Sequence, residues 1–133
     1  MKNLNSTGRF KMAAKLVLIV EDSATDSKIA EDVCQSQGYR TVVVTEGDKV
    51  LATAIEHNPD LILLDVILPN KNGFQVCRQL KGDAATKDVN VVIVSSKDQA
   101  SDKFWGMKQG ADDYLTKPYK DDELIAIIEK NIN

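Results

Sequence analysis

The sequence predicts an α/β fold: a doubly wound parallel sheet of five strands with helices on both faces. Three observations point to it. Apolar runs recur five times along the 133 residues; they are continuous rather than alternating; and a stretch of helical periodicity follows each. Continuous apolar strands belong to sheets covered on both sides. Strand–helix alternation calls for right-handed crossovers, which lay the strands parallel.

The first run, Lys15 to Glu21 (KLVLIVE), leads into a helix marked by Ile29, Ala30, Val33 and Cys34, with Gly38 as its stop. Thr41 to Thr45 (TVVVT) is the second, and Val50, Leu51, Ala54 and Ile55 repeat the same helical spacing before Pro59. The third, Leu61 to Asp65 (LILLD), precedes a helix carrying Phe74, Cys77 and Leu80 after Gly73. Val89 to Ser96 (VNVVIVSS) is the fourth, followed by a helix with Phe104, Trp105 and Met107 that ends at Gly110. The fifth, Asp113 to Lys117 (DYLTK), is shorter. The last helix holds Leu124, Ile125, Ile127, Ile128 and Ile132, and Asp121 and Asp122 suit the positive end of its dipole. Residues 1–11 are polar and stand outside the pattern, so they are expected to form a flexible extension to a single domain over 12–133.

Composition narrows the function. With 43% hydrophobic and 28% charged residues the chain reads as an ordinary globular domain, long enough to bury roughly two-thirds of its unfolded surface. A net charge of -3 argues against a protein that grips nucleic acid by neutralising phosphates. No run approaches a membrane span and no signal peptide is apparent, so the expected location is cytoplasmic. Cys34 and Cys77 lack metal-ligand spacing and read as reduced thiols.

In such a sheet a ligand binds beyond the carboxyl ends of the strands. The first run ends in Glu21-Asp22, the third in Asp65, the fourth in Ser95-Ser96 and the fifth in Lys117-Pro118. Three carboxylates brought together repel one another unless a cation shares the site, and oxygen-only donors suit Mg²⁺. A carboxylate screened in this way can attack phosphorus, and Lys117 and Ser95 can compensate the charge on phosphoryl oxygens. Each residue alone has an ordinary reading. Glu21-Asp22 could open a helix, Asp65 could belong to a turn before Pro69, and Lys117 could be a solvated loop lysine. The convergence of all of them on one edge favours the functional reading.

These segments, LIVEDS, LILLDVILPNKNG, VVIVSS and ADDYLTKPY, resemble the receiver domains of two-component response regulators, over Lys15 to about Asn131. The resemblance implies a (βα)5, flavodoxin-like fold with strand order 2-1-3-4-5. It implies that Glu21, Asp22, Asp65 and the backbone carbonyl of Ile67 bind Mg²⁺, and that Asp65 is the phosphoacceptor assisted by Lys117 and Ser95. Ser95 and Tyr114 would form the switch, and the Lys117–Pro118 peptide would be cis. The partners implied are a histidine kinase or phosphotransfer domain and a downstream protein bound by the face of helix 4, strand 5 and helix 5. No nucleic acid is implied, and the protein is expected to be a monomer or weak dimer. It would not be an enzyme beyond Mg²⁺-dependent self-phosphorylation and autodephosphorylation.

The stand-alone chemotaxis and twitching-motility regulators are the nearest in type, and SSKDQASDKFWGMKQGADDYLTKP resembles regulators of type IV pilus movement. Glu21 stands where Asp is commoner in the family, and Asn72 where Asp is frequent before Gly73. Ile67 is apolar where many relatives are polar, which is expected to alter the lifetime of the acyl phosphate. Two rival readings differ in class. A haloacid-dehalogenase phosphatase would want an Asp at position 67. A pseudo-receiver would bind partners without ever taking phosphate. The sole histidine, His57, and Trp105 are expected to lie outside the site.

Overall fold

The structure, a computed structural model, describes residues 14–133 and, before them, only the backbone of two short strands, Lys2–Leu4 and Phe10–Met12, paired antiparallel. Those strands apart, the expected extension over 1–11 lies outside the described residues.

The main sheet contains β1 (Leu16–Val20), β2 (Arg40–Val44), β3 (Leu61–Leu64), β4 (Val91–Ser95) and β5 (Asp113–Thr116). All are parallel, in the spatial order β2-β1-β3-β4-β5. The helices are α1 (Ala24–Ser36), α2 (Val50–His57), α3 (Gly73–Gly82), α4 (Ala100–Lys108) and α5 (Asp121–Asn131). The expected doubly wound α/β fold and strand order are therefore present. A short 3-10 turn, Gly47–Lys49, precedes α2 and has no counterpart in the sequence reading.

Alternation along the strands divides the core. Leu18, Val20, Ile62, Leu64, Val91 and Ile93 pack against α2 and α3 through Val50, Ala54, Val76, Cys77 and Leu80. Val17, Ile19, Leu61, Leu63, Val92 and Val94 face α1 and α5 through Ala30, Val33, Cys34, Leu124 and Ile128. Strands buried on both faces thus explain the continuous apolar runs of β1, β3 and β4. Both cysteines are free and buried, and burial pushes the thiol of Cys34 up to about 12 and that of Cys77 to about 11, which leaves both inert.

One expectation needs correction. The second apolar run is not covered on both faces: β2 is an edge strand, and Thr41, Val42 and Val43 are only half-buried, as is all of β5 at the other edge. An edge strand loses the cover that a neighbouring crossover would supply. The helix expected with Phe104, Trp105 and Met107 is present as α4, but these residues lie on its exposed side. Phe104, Trp105 and Met107 are 62%, 52% and 47% exposed, and Gly106 is the helix's one buried residue. Gly106 lies so close to the sheet that a Cβ there would sit 2.8 Å from Ile93 Cδ1 and 3.4 Å from the Tyr114 ring. Close backbone approach has replaced side-chain packing.

Helix ends follow local chemistry. Gly38 and Gly110 adopt positive φ just past α1 and α4, and Asn58 does the same after α2, just before Pro59. Asn72 caps α3 in a reciprocal box with Gln75. No helix among the described residues is long and apolar enough to cross a membrane.

Candidate functional site

The strand register brings the predicted residues to one edge. Val20 is level with both Val44 and Leu64, so Glu21 and Asp65 emerge side by side. The ladder continues one step past the strands, with Asp65 N–H donating to Val20 O (3.0 Å) and Lys117 N–H donating to Ser95 O (2.9 Å). Asp65 is thus mounted on a central strand, and only 6% of it is exposed.

The β3–α3 loop is pressed against this mount by glycine. A Cβ on Gly73 would stand 2.1 Å from Asp65 O and 2.6 Å from Val66 Cα, so no larger residue fits without moving the loop. Gly73 N–H donates to Val66 O at 2.8 Å. Inside the loop, Ile67 N–H donates to Asp65 Oδ1 at 3.2 Å, while the Ile67 side chain points outward, 55% exposed.

Lys117 occupies the centre. Its ammonium donates to Asp65 Oδ2 at 2.9 Å, to Asp26 Oδ2 at 2.8 Å and to Glu21 Oε1. The peptide after it, Lys117–Pro118, is cis, as the resemblance implied. Burial pulls the lysine down, but the hydrogen bonds to Asp26, Glu21 and Asp65 outweigh it and hold the group above its ordinary value. Burial would raise Asp65 too, yet Lys117 and the Ile67 N–H keep it below the usual range, with the Ser95 hydroxyl assisting. At Glu21 burial prevails over Lys117, and the carboxyl is raised. The site is thus two buried carboxylates, Glu21 and Asp65, and a half-exposed one, Asp26, held by one cation.

The remaining predicted residues fall around this cluster. Ser95 is fully buried, and its hydroxyl accepts from Lys97 N–H at 3.3 Å. Tyr114 on β5 is half-buried, and its hydroxyl donates to Lys97 O at 2.5 Å. Asp22 is exposed and makes none of the contacts to Lys117. As the side chains stand, no three Asp, Glu, His or Cys groups among the described residues are arranged to hold a metal ion. The ammonium has drawn Glu21, Asp26 and Asp65 to itself. His57 lies exposed at the end of α2, and Trp105 lies on the outer face of α4, both away from the site.

Asp26 is the residue that the sequence reading missed. Its signal was present: Ser23-x-x-Asp26 has the form of a capping box at the start of α1. Half of that box is built, with Asp26 N–H donating to Ser23 Oγ at 3.2 Å. The reciprocal bond goes elsewhere, because Ser23 N–H donates to Glu21 Oε2 at 3.2 Å and leaves the Asp26 carboxylate to Lys117.

Known proteins resemble this chain in sequence and in fold. A family model described as the response regulator receiver domain matches residues 17–129. The chain is 41% identical to protein PilH of Pseudomonas aeruginosa over 112 residues, which is 84% of this chain and 93% of that protein. It is 36% identical over 116 residues to the DNA-binding response regulator MtrA of Mycobacterium tuberculosis, covering 87% of this chain but only 50% of that protein. Among solved structures, the receiver domain of a sensor histidine kinase from Pseudomonas aeruginosa PAO1 superposes with a TM-score of 0.83 at 28% identity, over 90% of this chain and 98% of that one. That structure has a magnesium ion coordinated in its active-site cleft.

Proposed function

Because the chain belongs to the response regulator receiver domain family, we propose that it is a two-component switch in which Asp65 accepts a phosphoryl group from a histidine kinase or phosphotransfer domain. The observation that carries this reading is the 2.9 Å contact between Lys117 Nζ and Asp65 Oδ2 at the carboxyl edge of the sheet, with Glu21 on the same ammonium.

The donor set fits Mg²⁺. Glu21, Asp22, Asp65 and the Ile67 carbonyl offer only hard oxygens, and these residues would hold the ion. When bound, the ion neutralises carboxylate charge and the phosphoryl oxygens. In the transfer itself an Asp65 oxygen forms a bond to phosphorus as the phosphorus–nitrogen bond to the donor histidine breaks, and that nitrogen keeps the electron pair. Lys117 then donates to a phosphoryl oxygen instead of the Asp65 carboxylate. Ser95 turns towards another.

The added charge of roughly -1.5 to -2 is what the switch reads. Tyr114 moves into the space that Ser95 gives up and leaves the Lys97 carbonyl. Its ring lies against α4 at Gly106, so the face of α4, β5 and α5 changes with it. A downstream protein that binds one state better completes the signal, and Phe104, Trp105 and Met107 give that face its apolar surface. Control of motility is the pathway favoured by the likeness to PilH and to the pilus regulators. The reading also places the protein in the cytoplasm as a monomer or weak dimer, with no nucleic acid bound.

Incubation with acetyl phosphate and Mg²⁺, followed by intact mass measurement, tests this. A labile phosphoryl adduct that Asp65→Asn abolishes is expected. No adduct would favour the pseudo-receiver, and catalytic turnover of phosphate esters would favour a phosphatase.

A further inference from the structure

An ammonium group has three N–H donors. On Lys117 all three are committed, to Glu21, Asp65 and Asp26. Glu21 and Asp65 already have parts in phosphoryl transfer. Asp26 has none, since it is neither a strand-end residue nor one of the oxygens offered to Mg²⁺. Yet its aim is set by local structure: the first turn of α1 would normally direct this carboxylate back to Ser23 N–H, and Glu21 has taken that donor.

We infer that Asp26 is a positioning residue for Lys117: it holds the ammonium on the α1 side of the site and competes for it with the phosphoryl group on Asp65. The inference rests on the reading of Asp65 as phosphoacceptor. Once an Asp65 oxygen is esterified, the donor it engaged is released, while Asp26 remains a full carboxylate on the same nitrogen. Its hydrogen bond and its charge both hold Lys117 back from the phosphoryl oxygens. The Asp26 side chain is 40% exposed, so solvent tempers the effect without removing it. Asp26 thereby sets how tightly the phosphoryl state is held.

Beryllofluoride, a phosphoryl analogue, supplies the test when titrated with Mg²⁺ by calorimetry. Asp26→Asn is expected to bind it roughly fivefold more tightly than wild type, the scale of one partly screened hydrogen bond to a charged group. Asp26→Glu restores the carboxylate and is expected to stay within about twofold of wild type. So is Asp32→Asn, which removes the same charge from α1 at a residue that pairs with Lys28. In the metal-free protein, the ¹⁵N signal of the Lys117 ammonium should be sharp in wild type and Asp26→Glu and exchange-broadened in Asp26→Asn. Unchanged or weaker binding by Asp26→Asn, or an equal gain from Asp32→Asn, would overturn the inference. A wild type that fails to bind beryllofluoride would overturn the phosphoacceptor reading and this inference with it. The ammonium spectrum reports the Asp26 contact independently of that reading.

Discussion

Lys117 Nζ stands 2.9 Å from Asp65 Oδ2, joining residues 52 positions apart, and the lysine side chain is only 14% exposed. The pairing is what makes a group of carboxylates tolerable at the end of a buried strand. Replacing the lysine removes the cation and leaves Glu21 and Asp65 buried without it. Lys117→Met should therefore lose about 3 kcal/mol near neutral pH. The sign of the pH dependence follows from Asp65, which is held below its ordinary value and so adds stability above that value and loses it as the pH falls. The gap between wild type and Lys117→Met should narrow below about pH 4. Urea unfolding across that range measures it.

Ile67 lies two residues beyond Asp65 and shows 55% of its surface to solvent. An apolar side chain there gives the attacking water no hydrogen-bond partner. Ile67→Asn should shorten the life of the acyl phosphate roughly tenfold, about 1.4 kcal/mol of barrier. Loss of the adduct over time by intact mass reports the rate, and an unchanged half-life would remove Ile67 from the account.

Gly73 and Gly82 begin and end the same helix in opposite surroundings. Gly73→Ala drives a Cβ into the backbone of Asp65 and Val66 and should cost about 3 kcal/mol, together with the ability to form the adduct. Gly82 has nothing within 4 Å, and Gly82→Ala should gain about 0.5 kcal/mol. Thermal or urea unfolding of the pair separates crowding from helix propensity.

Asp113 offers a titration remote from Lys117. Burial would raise it, but the Asn131 side chain at 3.0 Å, its neighbour's N–H and Lys130 hold it below its ordinary 3.8. Its stabilisation is therefore complete above that value and is lost as the pH falls through the lowered one. Asp113→Asn should be about 1 kcal/mol less stable than wild type at neutral pH, and the two should converge in acid.

The central strands and the residues at their ends could be read in the sequence because both obey simple rules. Leu16–Val20 and Leu61–Leu64 are apolar at every position since both faces are covered, and whatever follows such a strand must surface. The edge strand β2 carries the same letters as the centre, so Thr41–Val43 reads as buried when only position in the sheet can say otherwise. The α4 residues show a related limit of the letters. Periodicity identifies an apolar stripe but not which side the stripe faces, and a glycine contact left Trp105 outside. Asp26 was hidden by an ordinary motif, because a capping residue and a lysine partner are written with the same letter.

The seating of α4 has a mechanical consequence. A helix held on its sheet by one glycine has little packing to give up when it shifts, whereas α1 is anchored by Ala30, Val33 and Cys34. α4 is therefore the helix with the least side-chain packing to lose, and it lies against Tyr114. Amide protons in α4 should exchange with solvent well before those of α1, and hydrogen exchange read by mass spectrometry measures the difference.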